Sequence, residues 1–183
     1  MSEKPKLPQT PARVIRKRRN DLELRSGYIS LLVRVVVLAV GCLVLFTQVF
    51  MLAQVKGNEM FPAVKDGDLM FVFRLQREYA KNDVIVYNYA GTRYVGRIAA
   101  RENDVVTLDD SGTLYVNGTA QTGEILYPTY AKEGITYPYT VPAGCVFVLA
   151  DYRTEAEDSR DRGPIPMENV EGKVITILRR RGL

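Results

Sequence analysis

The stretch NDVIVYNYAGTRYVGRIA, residues 82–99, decides the fold expected for this chain. Two runs rich in β-branched and aromatic residues, Val84–Tyr89 and Tyr94–Ala99, are joined through Ala90-Gly91-Thr92, a pattern typical of a β-hairpin. Because long helical periodicity is missing from this region and its surroundings, we expect a mainly β domain of coiled, sandwich-like sheets over residues 55–183. Further runs of similar composition, which we also expect to form strands, are Leu69–Phe73, Val105–Leu108, Thr113–Val116, Cys145–Ala150 and Val170–Leu178.

Two short segments carry the residues of tight turns. Asp109-Asp110-Ser111-Gly112 lies between two predicted strands, and Asn117-Gly118 follows the second of them. Residues 119–141 are less regular and rich in Tyr and Pro, so we expect an irregular insertion there. Exposed tyrosines would suit protein contacts, and rings that simply cap the core are an equal alternative.

An apolar segment precedes the β region. Every residue from Val35 to Phe46 is apolar or Gly, and the run resumes from Val49 to Ala53. The total reaches the roughly 20 residues that cross a bilayer, so we expect a transmembrane anchor over residues 28–54. A core helix would show a polar stripe, and a cleaved signal peptide would have a short basic start and a small-residue exit. An uncleaved anchor is therefore favoured.

Positive charge is concentrated before the apolar segment. Residues 1–34 hold nine Lys and Arg against three Asp and Glu, whereas the whole chain has a formal net charge of +4. This asymmetry predicts a cytoplasmic N-terminus and an extracellular C-terminal domain on a single-pass protein of the cell membrane. Residues 1–27 are expected to form a basic, largely disordered tail. A nucleic-acid-binding domain would spread its Lys and Arg over a folded face, so no nucleic-acid partner is expected.

Histidine is absent from the sequence. Its absence excludes Ser-His-Asp and Cys-His catalysis and the paired-His zinc motifs. We expect neither a metal ion nor another cofactor. The two cysteines, Cys42 and Cys145, are not expected to form a disulfide, because one lies in the apolar segment and the other far beyond it.

Four stretches occur in a characteristic order. They are Gly57–Pro62 followed by Asp66-Gly67-Asp68, then Asn82–Tyr87, then Tyr94–Ile98, and finally Asp151–Arg153 with Asp158–Arg160 and Gly163. Together they resemble the boxes of type I signal peptidases, the Ser-Lys dyad enzymes that release exported proteins from their membrane anchors. The resemblance extends from the apolar segment to the last predicted strand, and four boxes in order are a specific match.

The resemblance implies that the usual catalytic residues are replaced. Glu59 stands where the family has its nucleophilic Ser, Gly96 where it has the general-base Lys, and Ala156 where a second Ser supports that Lys. Arg97 cannot act as the base, because a guanidinium does not deprotonate in proteins. We therefore expect no catalytic residues and a protein that is not an enzyme but a degenerate member of this family.

The resemblance also implies a peptide-binding cleft, because family substrates lie there as extended strands. The implied cleft residues are Asn58, Glu59, Met60, Phe61, Pro62, Tyr94, Val95, Gly96 and Arg97, and the implied frame residues are Asp151, Arg153, Asp158, Ser159 and Arg160.

Alternatives for Glu59 stay open. It could form a water-activating carboxylate pair with Asp158, or it could be a tolerated polar residue that pairs with Arg160.

Within this family, the replaced positions resemble those of the signal-peptidase-like proteins encoded beside pilins and sortases in streptococci. That similarity implies a non-catalytic, chaperone-like role in pilus assembly, with pilin precursors and a pilin-polymerising sortase as partners. An active signal peptidase that uses unconventional residues is the main alternative, and a relic without a working groove is the other. The oligomeric state is left open.

Overall fold

The computed structural model describes residues 11–123 and 125–179. It divides into two units, one ending at Thr47 and one beginning at Gln48. Helix α1 runs from Pro11 to Val49. Proline suits the first helical position because it has no N–H to leave unbonded there. The segment Arg18–Val49 is long and apolar enough to cross a membrane by length and composition.

The boundaries of the predicted tail and anchor differ from those in the structure. The helix already begins at Pro11, in residues predicted to be disordered, because Arg, Lys and Leu are strong helix formers. It ends at Val49, and residues Phe50–Gln54, predicted as the end of the anchor, form strand β1. Their backbone pairs with a neighbouring strand, which satisfies it outside a helix. Residues 1–10 of the predicted tail lie outside the described residues.

The second unit is built mainly of strands, as the sequence predicts. After β1, the strands are β2 (Leu69–Phe73), β3 (Val84–Tyr89), β4 (Thr92–Ala100), β5 (Val105–Leu108), β6 (Leu114–Val116), β7 (Thr119–Ala120), β8 (Tyr139–Thr140), β9 (Cys145–Leu149), β10 (Ile165–Pro166) and β11 (Val170–Leu178). A one-turn helix α2 (Ser159–Arg162) and a 3-10 turn (Met167–Asn169) lie between β9 and β11.

Within the described residues the strands form two sheets. The seven-stranded sheet has the order β1-β2-β11-β3-β4-β9-β10, and the four-stranded sheet has the order β7-β6-β5-β8. The predicted hairpin joins β3 to β4 with Tyr89 opposite Thr92. Its two turn residues, Ala90 and Gly91, have φ angles of 50° and 81°, as a two-residue hairpin turn requires.

The two predicted tight turns are present in the smaller sheet. Strands β5 and β6 pair across the first turn, where one Asp109 carboxylate oxygen accepts from the Ser111 and Thr113 N–H groups. Asn117 and Gly118 connect β6 to β7 with positive φ angles.

The irregular Tyr- and Pro-rich segment packs against the residues of the last sequence box. The Tyr127 and Tyr152 rings lie 4.6 Å apart, and Lys132 Nζ lies 2.7 Å from an Asp161 carboxylate oxygen. Tyr130 is 49% exposed. Tyr127 therefore caps the domain, as one alternative predicts, whereas Tyr130 is an exposed tyrosine, as the other predicts.

Candidate functional site: a groove between β1 and β4

A pocket of about 470 Å³ lies between the segment 52–56 and the beginning of β4, and we call it the groove. Its lining includes residues 52–56, 59, 60, 70, 86 and 92–95. Met60, Met70 and Val86 belong to one buried cluster, against which Val95 packs. The groove thus has an apolar floor, and Lys56, Glu59 and Arg93 supply charged groups to its lining.

One edge of β4 is open beside this groove. Residues 92–97 of β4 pair with β3 on one side. On the other side, pairing with β9 begins only at Arg97, opposite Leu149. The strand pairings of the described residues therefore leave one backbone edge of residues 92–96 available to a further strand.

Glu59 contributes a carboxylate to the groove. Its backbone carbonyl accepts from the Tyr152 N–H at 2.9 Å, which joins the first sequence box to the last. The hydrogen bonds and ion pairs within residues 11–123 and 125–179 include none to its side chain. Burial raises the pKa of the Glu59 carboxyl above its ordinary value, the Arg162 cation partly offsets that rise, and Glu157 and Asp158 add to it.

Arg162 is a buried cation beside the groove, and the sequence analysis missed it. Its side chain is only 8% exposed, and its Nη2 lies 3.1 Å from a Glu157 carboxylate oxygen. Its guanidinium carbon lies 3.7 Å from the centre of the Tyr94 ring, in the geometry of a cation–π contact. The signal that could have identified it is its position two residues after Arg160, inside the last box.

Gly96 lies in a tightly packed position of β4. A Cβ atom added there would lie 2.4 Å from Val148 Cγ1 and 3.4 Å from Tyr87 Cε1. Tyr87 is itself buried, and its burial raises the pKa of its hydroxyl to about 12. Side chains of neighbouring strands therefore fill the space in which a residue larger than glycine would have to lie.

The frame residues form a buried network next to β9. Arg97 donates two hydrogen bonds to Asp151, from Nε at 2.8 Å and from Nη2 at 2.7 Å.

The other frame residues bond to neighbouring segments. Arg153 donates to the Thr129 hydroxyl at 2.9 Å, and the Ser159 hydroxyl accepts from the Val148 N–H. Ala156 is buried, and its carbonyl accepts from Lys132 at 2.8 Å.

Both alternative partners predicted for Glu59 are engaged elsewhere. Asp158 is 1% exposed and accepts from Arg160 Nε and Nη2, each at 2.9 Å, and from the Ala150 N–H. Among the described residues, neither a Glu59–Asp158 hydrogen bond nor a Glu59–Arg160 ion pair is formed. The physical reason is that buried Asp158 and Arg160 neutralise each other, and Arg162 is the cation that acts on Glu59.

Only some of the cleft residues implied by the sequence line the groove. Glu59, Met60, Tyr94 and Val95 line the groove. Phe61 instead packs edge-on against Tyr152, while Asn58 is exposed and its carbonyl accepts from the Phe61 N–H. Pro62 and Gly96 are not among the lining residues, and Arg97 lines a separate pocket.

Comparison with known proteins relates this chain to peptidases. The family model described as "Signal peptidase, peptidase S26" matches residues 27–178. Signal peptidase I of Bacillus caldolyticus is 31% identical over 151 residues, which are 73% of this chain and 82% of that protein. Thylakoidal processing peptidase 1 of Arabidopsis thaliana is 28% identical over 66% of this chain, but the chain spans only 39% of that relative.

A solved structure of signal peptidase I from Enterococcus faecalis V583 is 27% identical, covering 54% of this chain and 97% of that one with a TM-score of 0.46.

These relatives correct one expectation. The replaced dyad led us to expect that the chain is not an enzyme. Relatives in Bacillus caldolyticus, Bacillus licheniformis and Staphylococcus aureus are named signal peptidases, and those names point to an enzyme. The expectation was wrong because it rested on three positions alone, Glu59, Gly96 and Ala156, read through a resemblance.

Proposed function

The chain belongs to the signal peptidase S26 family, and we propose that it binds an extended segment of an exported precursor protein in the groove. The observation that carries the proposal is the open edge of residues 92–96 in β4, which lies along the pocket. A bound segment would add as a further strand and use the backbone groups of that edge. Alternate side chains of the segment would then point into the apolar floor.

The proposed setting is the outer face of the cell membrane. Helix α1 would anchor the protein there, with the basic N-terminal residues in the cytoplasm and the β domain outside. The similarity to signal-peptidase-like proteins of pilus loci motivates the proposed partners, which are pilin precursors and a pilin-polymerising sortase. In this setting the protein is an accessory factor of pilus assembly that holds a precursor segment.

Photocrosslinking of the full chain tests this proposal. A crosslinking amino acid at exposed Thr92 is expected to capture a co-expressed pilin precursor, while the same group at exposed Asp110, in the turn between β5 and β6, is expected to capture none. Competing peptides that are N-methylated at alternate amides should lose binding in one register and keep it in the other. Equal capture at both positions, or no capture at Thr92, would contradict the proposal.

A second candidate function is peptide-bond hydrolysis, and the names of the relatives favour it. Glu59 would act as general base: it takes a proton from water, the hydroxide attacks the scissile carbonyl carbon, and the C–N bond breaks as the amine leaves with a proton. The half-buried Glu59 carboxyl, with its raised pKa, has the environment that such a base needs.

Cleavage of a fluorogenic precursor peptide by the full chain in detergent tests the second candidate. Glu59→Gln is expected to abolish turnover, and Glu155→Gln, at an exposed carboxylate that does not line the groove, is expected to leave it unchanged. Turnover that survives Glu59→Gln would exclude Glu59 as the base.

A further inference from the structure

The charges that line the groove are unequally neutralised. Arg93 Nε donates to both carboxylate oxygens of Glu171, at 3.0 and 2.8 Å, so its charge is already paired. Lys56 is exposed and therefore well hydrated. Glu59 is half-buried, and its carboxylate has no hydrogen-bonding partner among residues 11–123 and 125–179. The groove therefore holds one partly desolvated anion without a direct partner.

Arg162 is near Glu59 but is held by other groups. Its Nη2 contacts Glu157 at 3.1 Å and its guanidinium stacks on Tyr94 at 3.7 Å. Its Nη1 is buried and has no hydrogen-bonding partner among the described residues. Arg162 thus lowers the electrostatic cost of the Glu59 charge, and no hydrogen bond or ion pair among the described residues joins it to the Glu59 carboxylate.

The shape of the groove favours one kind of cation. The floor formed by Met60, Met70 and Val86 can cover an unbranched hydrocarbon stem. Arg162 covers one face of the Tyr94 ring, so a second guanidinium cannot stack on that face. A primary ammonium on a four-carbon stem is compact, needs no stacking surface and can donate up to three hydrogen bonds.

We propose that the groove recognises a lysine side chain of the bound segment, with its stem on the apolar floor and its ammonium group on the Glu59 carboxylate. This inference rests on the proposed peptide binding and specifies the chemistry of the bound segment. The occupant is an extended exported polypeptide with a lysine among the side chains that point towards the floor.

Fluorescence anisotropy with the full chain in detergent tests the inference. The probes are labelled ten-residue alanine- and serine-rich peptides in which one lysine is moved along the chain, with matched peptides that carry norleucine or acetyl-lysine instead. At one or two positions the lysine peptide is expected to bind about tenfold more tightly than its matched peptides. Glu59→Gln should remove that preference and leave the norleucine peptide unaffected, while Glu155→Gln and Asp110→Asn, at exposed residues that do not line the groove, should keep the preference.

The outcomes separate the two proposals. If lysine, norleucine and acetyl-lysine peptides bind equally, the lysine inference is overturned and peptide binding stands. If the lysine preference persists in Glu59→Gln, Glu59 is not its receptor and the inference is also overturned. If no peptide binds, while circular dichroism shows a folded protein, the proposed function fails and the inference fails with it. A Glu59→Lys protein that prefers matched glutamate peptides would add independent support.

Discussion

Gly96, which follows the groove-lining residues of β4, has no room for an added side chain. Its missing Cβ atom would lie 2.4 Å from Val148 Cγ1, which is closer than unstrained packing permits. The packing of the sheet therefore requires glycine at this point. A lysine could enter only if Val148 and the nearby Tyr87 ring moved.

We predict that Gly96→Ala lowers the free energy of unfolding by about 1–3 kcal/mol, because overpacking forces neighbours from their preferred positions. In a Val148→Ala background the same change should cost clearly less, since the clashing methyl is gone. Chemical denaturation of the four proteins measures the coupling. Gly123→Ala is the matched control, because nothing lies within 4 Å of its added Cβ atom. An equal cost of Gly96→Ala in both backgrounds would contradict this packing account.

The pKa of Glu59 is predicted to lie above the ordinary value of a glutamate. Burial raises the pKa of Glu59, and Arg162 lowers it, so Arg162→Met should raise that pKa further. An NMR titration with labelled glutamate carboxyl carbons measures both values. A Glu59 pKa that falls in Arg162→Met would show that the two groups do not interact as the structure places them.

The same shift has a consequence for stability. The folded-state pKa of Glu59 lies above its unfolded value, so the stability that it contributes is present below the unfolded pKa and is lost as pH rises through the folded pKa. Glu59→Gln should therefore raise Tm relative to the natural protein at pH 7 and have a smaller effect at pH 4. A Tm difference between the two proteins that is equal at pH 4 and pH 7 would contradict this linkage.

At the scale of elements, α2 is a single turn that the side chains around it hold in place. Asp158 caps it by accepting from the Arg160 N–H, and the Asp161 side chain accepts from the Asp158 N–H at 3.0 Å. Arg160 also donates to the carbonyls of Tyr130 and Arg153, at 3.0 and 2.6 Å. These contacts attach α2 to the preceding loops. They also fix the position of Arg162, which stacks on the groove-lining Tyr94.

Removing the Asp158 carboxylate is expected to be costly. Asp158→Ala leaves Arg160 buried and without its counter-ion, which should lower the free energy of unfolding by about 3–5 kcal/mol. Asp158→Ala/Arg160→Met should recover part of that loss, because no unpaired charge remains. Thermal and denaturant unfolding measure the difference, with exposed Asp110→Ala as control. A double variant less stable than Asp158→Ala would rule out the unpaired charge as the cause.

At the scale of the whole molecule, the chain combines one long apolar helix with a β unit. The basic residues before the apolar part of α1 predict that the N-terminus is cytoplasmic and the β unit external. In a Cys42→Ala/Cys145→Ala background, we predict that Glu155→Cys reacts with a membrane-impermeant maleimide in intact cells. Ser2→Cys should react only after the cells are permeabilised. Labelling with the opposite pattern would reverse the orientation.

Much of the fold could be predicted from the sequence because its signals are local. The bounds of β2, β3, β5 and β11 follow from runs of β-branched and aromatic residues. The turns at Ala90-Gly91 and Asn117-Gly118 follow from residues that tolerate positive φ angles. Strand β1 was missed because its apolar residues continue those of the helix, and only pairing with β2 distinguishes the two.

The sequence by itself determined the mainly β domain, the apolar helix before it and the order of boxes that relates the chain to signal peptidases, since each depends on residue type and spacing along the chain. The tertiary structure alone decided which groups meet. It joined Asp158 to Arg160 and stacked Arg162 on Tyr94, where its charge lowers the pKa of Glu59. It also left residues 92–96 of β4 with an open edge. These arrangements depend on contacts between residues far apart in sequence, which no local pattern records.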